Sequence, residues 1–241
     1  MAKVCCTIVC LFALTGLGDG SLAATYVLNT YDNEIIPGIR NQGWRSATVG
    51  GNVENYVVGN GGESPSEVDR NHFSFRIGPF SAPNEVVVCA RLELTAYDYL
   101  SPHESITYHL FDVSTDVGAL MQTAADAQIF NDLGSGRCYG SFAVNRPASR
   151  NDVLTFWLNQ YALEDIQASV GTYFSIGGTI YPDPQHLEYL FGSSGPDYPL
   201  NHPYGIQRLL VETAVVPEPS SLLALLCGLG GMAGIIRYRR R

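Results

Sequence analysis

The strongest constraint in this chain is an eleven-residue stretch, 86–96, in which apolar and polar positions alternate. Val86, Val88, Ala90, Leu92, Leu94 and Ala96 fall on one parity, while Arg91, Glu93 and Thr95 fall on the other. A period of two is the signature of a strand with one buried face, and a helix would scatter these residues around its circumference. The same period returns in shorter form at Phe73-Phe75-Ile77, Ile106-Tyr108-Leu110, Leu154-Phe156-Leu158, Phe174-Ile176, Leu187-Tyr189-Phe191 and Leu209-Val211. Tyr26-Val27-Leu28 and Ala47-Thr48-Val49 are weaker copies. Turn-forming pairs punctuate them at Gly59 to Gly62, Gly78-Pro79, Ser101-Pro102, Gly134 to Gly136, Gly177-Gly178 and Gly195-Pro196. Eight or more short strands with such turns predict an all-β fold, a β-sandwich of jelly-roll type. Two short helices interrupt the pattern. One covers Tyr161 to Val170, with Leu163, Ile166 and Val170 on one face and Gly171 as its stop; the other covers Val117 to Ala127, weakened by Gly118.

The two ends have a different character. Residues 1–23 read as a secretory signal: Lys3, then an apolar run from Val4 to Leu17, then small residues ending in Ser21-Leu22-Ala23, where Ser21 and Ala23 satisfy the small-x-small cleavage rule. Residues 214–241 hold a Pro-Glu-Pro break, an apolar span over 222–236 and a basic end over 237–241. As a helix, that span would reach about 22 Å, short of a hydrocarbon core of about 30 Å, with Tyr238 extending it at the interface. Arg237, Arg239, Arg240 and Arg241 mark the cytoplasmic side by the positive-inside rule, which places the body across the membrane from them.

The motif Val216-Pro217-Glu218-Pro219-Ser220-Ser221, followed by this span and basic end, resembles the PEP-CTERM sorting signal. The resemblance covers 216–241. It implies that signal peptidase and an exosortase, a membrane transpeptidase, process the two ends. It further implies that Pro217, Glu218 and Pro219 are the recognition residues of the tail. The destination it implies is the cell surface or an extracellular matrix rich in polysaccharide. Phe130 to Ser141 and Leu158 to Gly178 also resemble the bodies of other proteins with this tail, for which no activity follows.

The body, 24–213, reads as one domain, with no internal repeat and no linker long enough to divide it. It keeps 9 basic and 21 acidic residues once Lys3, the four terminal arginines, Asp19 and Glu218 are set aside. Nucleic acid is excluded as a partner, since phosphate binding needs clustered positive charge. No residue set commits the body to catalysis. The histidines at 72, 103, 109, 186 and 202 form no H-x-H or H-E-x-x-H pair, and no C-x-x-C is present, so no zinc site is legible. No cofactor is expected. Calcium is the one metal with a fragment of a loop, Asp112-x-Ser114-x-Asp116, but Val117 and Thr123 stand where an EF-hand needs Gly and Glu. Glu164-Asp165 is an adjacent acidic pair whose members diverge on a helix.

The reading that follows is a non-enzymatic surface or matrix protein, with a carbohydrate-binding module as the alternative and a secreted hydrolase ranked last. Aromatic residues carry the alternative. Trp157, Tyr181, Tyr198 and Tyr204 are candidates to stack on sugar rings, against the plainer reading that such rings fill a β-core. Of six cysteines only Cys89 and Cys138 lie in the body, and an oxidising compartment predicts a disulfide between them, against two unpaired thiols.

Overall fold

The computed structural model describes residues 22–60, 67–82, 84–192 and 205–216. The fold is all-β with three short helices. The strands are β1 (Leu22–Asn29), β2 (Gln42–Ser46), β3 (Gly51–Asn52), β4 (Val58–Gly59), β5 (Asp69–Arg76), β6 (Glu85–Thr95), β7 (Tyr99–Leu100), β8 (Ser105–Asp112), β9 (Cys138–Asn145), β10 (Val153–Trp157), β11 (Tyr173–Thr179), β12 (Tyr189–Leu190) and β13 (Gln207–Val215). The helices are α1 (Val117–Leu120), α2 (Ala127–Asp132) and α3 (Gln160–Ala168). Among the described residues no helix is long and apolar enough to cross a membrane. The Pro217 to Pro219 motif, the span, the terminal arginines and Ser21 lie outside the described residues. Ala23 falls inside β1.

Every pairing is antiparallel. One sheet runs β1-β13-β6-β10; the other runs β7-β12-β4-β5-β11-β8-β9, with β2 and β3 attached beside β5. Their inner faces share one core. Leu92, Leu94, Phe156, Leu209 and Val211 come from the first sheet, and Phe73, Phe75, Tyr108, Leu110 and Ile176 from the second. Tyr108 meets Phe156 edge-on across the divide, with ring centroids 5.3 Å apart. Each such side chain, fully buried, stabilises by roughly 1.5–3 kcal/mol over its exposed state.

The alternation over 86–96 holds from Ala90 onward and slips before it. Opposite β13, Glu212 faces Cys89 but Thr213 faces Val87, so Val88 is an extra residue in the ladder. The slip turns Val87 toward the core and leaves Val86 37% exposed, the reverse of the parity expected for both. Other expectations are also corrected. Ala47 to Val49 forms a bend, and the strand lies just before it, at β2. Gly177 and Gly178 sit inside β11 rather than in a turn, because another part of the chain passes close over them. The helix expected over 117–127 shrinks to the four-residue α1, capped by Asp116; residues 121–126 are not helical, and α2, capped by Asp126, starts where the expected helix ends.

The helix α3 matches its expectation. Asn159 caps it by accepting from the N–H groups of Tyr161 and Ala162, Ala162, Leu163 and Ile166 are buried, and Gly171 follows at φ +88°. A positive φ suits glycine, and the Gly171 N–H turns to donate to Ile77 at 2.8 Å.

Cys89 and Cys138 are both thiols, so the expected disulfide is absent. Cys89 stands opposite Glu212 in the first sheet, and Cys138 stands opposite Phe111 in the second.

Candidate functional site: a cleft beside Tyr181

β8 turns Ile106, Tyr108 and Leu110 inward, so Ser105, Thr107 and His109 line its outer side. β11 lies alongside, with Thr179 opposite His109. The chain leaving β11 therefore carries Tyr181, Pro182 and Asp183 over this row. The result is an open cleft of about 420 Å³, lined by the β8 row, the 181–183 segment, His103 and Glu188. Tyr181 is 67% exposed, and its ring centroid lies 5.1 Å from that of His109.

Buried hydrogen bonds hold both walls. Asn60 is fully buried and clamps the far wall: its amide donates to the His186 carbonyl at 2.8 Å, and its oxygen accepts from the Glu188 N–H at 2.5 Å. Glu188, also buried, accepts from the Ser101 hydroxyl at 2.5 Å and from the Asp183 N–H at 2.7 Å. The near wall is tied through Ser101, which accepts from the His103 N–H at 3.0 Å, and through Tyr99, whose hydroxyl donates to the His103 carbonyl at 2.9 Å. Walls fixed in this way lose little freedom when a ligand arrives.

The charges in the cleft are defined. The Gln185 N–H and then the His186 ring hold the Asp183 carboxyl below its ordinary pKa, so it is ionised at neutral pH. Burial lowers the pKa of His109, whose imidazole is therefore neutral there; its Nδ1 lies 2.8 Å from the Ser141 hydroxyl. The cleft thus offers an aromatic wall, a row of neutral polar tips and a fixed negative charge.

Tyr181 is the one sequence-named stacking candidate in this cleft. Tyr198 and Tyr204 lie outside the described residues. Trp157 is on the other sheet, opposite Arg91 on β6. It is 44% exposed, but the Arg91 guanidinium lies over its ring at 5.1 Å, and Glu93 and Glu212 hold that guanidinium at 3.1 and 2.9 Å. A sugar on that face would have to displace an ion network. Arginines lie likewise over Tyr31, Tyr161 and Tyr173.

The calcium fragment does not converge. Asp112 accepts from the Arg137 N–H, Asp116 from the Gly118 N–H, and the Ser114 hydroxyl donates to Asp132. Among the described residues no group of three or more His, Cys, Asp or Glu is placed to hold a metal. Glu164 and Asp165 share Arg137, each at 2.7 Å. His72 is fully buried on β5, where burial pushes its pKa down to about 3 and keeps it neutral.

Sequence reasoning passed over His103, His109, Asp183 and Glu188 as site residues. The alternation on β8 placed Thr107 and His109 outward. What joins them to Tyr181 is the β8–β11 pairing, between segments some seventy residues apart, which no local pattern announces. No protein-family model matches the chain, and a search of curated proteins finds no match.

Proposed function

We propose that this chain is an exported, non-enzymatic surface or matrix protein: a jelly-roll body between a removable leader and an exosortase-recognised tail. The observation that carries this reading is the pairing of the first and last strands. Ala24, the first residue after the leader, stands opposite Thr213, and Val215 stands opposite Glu85 at the start of β6. The leader and the tail therefore join the body side by side, at one end. A body joined there can be carried and released by membrane enzymes with the rest of its surface outward.

Strand order supports the jelly-roll reading. With the off-path pair β2 and β3 and the two-residue β4, β7 and β12 set aside, the remaining strands β1, β5, β6, β8, β9, β10, β11 and β13, numbered one to eight, give orders one-eight-three-six and two-seven-four-five. Those are the orders produced by wrapping an eight-strand antiparallel ribbon into two facing sheets. The cleft lies away from the joined ends, since β6 leads from Glu85 to Thr95 and residues 96–104 then cross to the start of β8.

The test is sorting. Pro217, Glu218 and Pro219 together replaced by alanine, in a host that carries an exosortase, should leave a full-length precursor in the membrane fraction. Normal maturation and surface arrival of that variant would refute the assignment. The polysaccharide-binding alternative gains from the exposed Tyr181 beside a polar row.

A further inference from the structure

We infer that the Tyr181 cleft is a binding site for an uncharged polysaccharide, held in extended form along β8 with one sugar ring against Tyr181. The inference deepens the proposed surface role and rests on it only for where protein and polymer meet.

Three features choose the ligand class. The first is the exposed tyrosine: an apolar ring face with a polar tip suits a pyranose, which has an apolar face and a hydroxylated rim. Unlike Trp157, which sits under Arg91, Tyr181 has as its ring neighbour a neutral imidazole tilted 54° to it. The second is the β8 row. Ser105, Thr107 and His109 recur every second residue, so their tips are spaced about 7 Å apart in a line. Hydroxyls and an imidazole both donate and accept, which matches sugar hydroxyls. A line of such groups in an open cleft fits a polymer passing through better than a single enclosed sugar. The third is charge. Asp183 is held ionised, Glu188 lies beside it, and the body carries twelve more acidic than basic residues, so uronates and sulfated sugars are repelled.

The carboxylates also bear on what happens to the polymer. Glycoside hydrolysis needs one carboxyl kept protonated as an acid. Asp183 is pushed the opposite way, and both Glu188 oxygens are engaged, by Ser101 and by the Asp183 N–H. The cleft holds the chain without cutting it.

Affinity electrophoresis of the full-length chain tests this, in a polyoxyethylene detergent that carries no sugar headgroup. Native gels would contain laminarin, galactomannan, dextran or alginate. The expected result is retardation by at least one of the three neutral polymers and none by alginate. Tyr181→Ala should lose that retardation, Tyr181→Phe should keep it because the ring remains, and Trp157→Ala should leave it unchanged. No retardation by any neutral polymer overturns the proposal. So does retardation by alginate alone, or retardation that survives Tyr181→Ala. Sorting is read separately: a correctly sorted Tyr181→Ala chain that no longer binds separates failure of the site from failure of the surface role.

Discussion

Asp69 is a carboxyl almost sealed from water, 3% exposed at the start of β5. Burial first, and repulsion from Glu67 second, push its pKa up to about 7. Below pH 4 the folded and unfolded chains both hold the proton, and the site costs nothing. Between pH 4 and 7 the unfolded chain has released a proton that the folded chain retains, so stability falls as pH rises. Above pH 7 the cost levels off at roughly 4 kcal/mol. Asp69→Asn removes the titration. Its stability relative to the parent should therefore climb from pH 4 to pH 8 in urea unfolding, and parallel curves across that range would rule the account out. Neighbouring Arg45 shows the other way of burying charge. It is 1% exposed, yet its guanidinium donates to the carbonyls of Ala119, Leu120, Gln122 and Ala124. Those bonds tie the α1 segment to β2. Neither role was legible in the sequence, since an Asp and an Arg in a polar stretch look like any other surface pair.

At the scale of elements, what could be read was what repeats. β5, β6, β8, β10, β11 and β13 each carry their own period of two, and α3 carries its cap, its apolar face and its stop within a dozen residues. The strands β3, β4 and β7 carry no such signal, because two residues are too few to show a period, and β2 is buried on four of its five residues, so no face of it alternates. The glycine pair at 177–178 shows how context reverses a local rule. A methyl group on Gly177 would lie 2.5 Å from the Leu133 carbonyl oxygen and 2.8 Å from its α-carbon. Both are backbone atoms just after α2, so glycine serves here for close approach, not for a turn. Gly177→Ala should therefore push the α2 end off the sheet and destabilise by about 1–3 kcal/mol. Loss of hydrogen-exchange protection at the Leu133 amide, which donates to Ile129, should accompany it. Unchanged stability in the variant would mean the close approach is not tight.

Over the whole molecule, the boundary between body and tail falls later than composition suggested. The body was expected to end at residue 213, but β13 continues to Val215, and the Val216 N–H donates to the Asn84 carbonyl at 3.0 Å. Pro217, the first residue of the proposed recognition motif, follows with no spacer at all. β13 lies between β1 and β6, so its last residues cannot be peeled away without loosening the sheet that joins both chain ends. An enzyme that grips Pro217 to Pro219 must then work hard against a folded surface that includes Asn84, Glu85 and Val216, or wait until the end of β13 frays. Opening of that kind is a local equilibrium with its own free-energy cost, and it slows any step that depends on it. Inserting about ten Gly and Ser residues between Val216 and Pro217 supplies the missing slack, since such a linker is flexible and spans several nanometres at full stretch. In an exosortase-containing host the insertion should shorten the half-life of the precursor in pulse-chase labelling, while the thermal midpoint of the body stays where it was. An unchanged precursor half-life would mean that the enzyme does not contend with the folded end of the body.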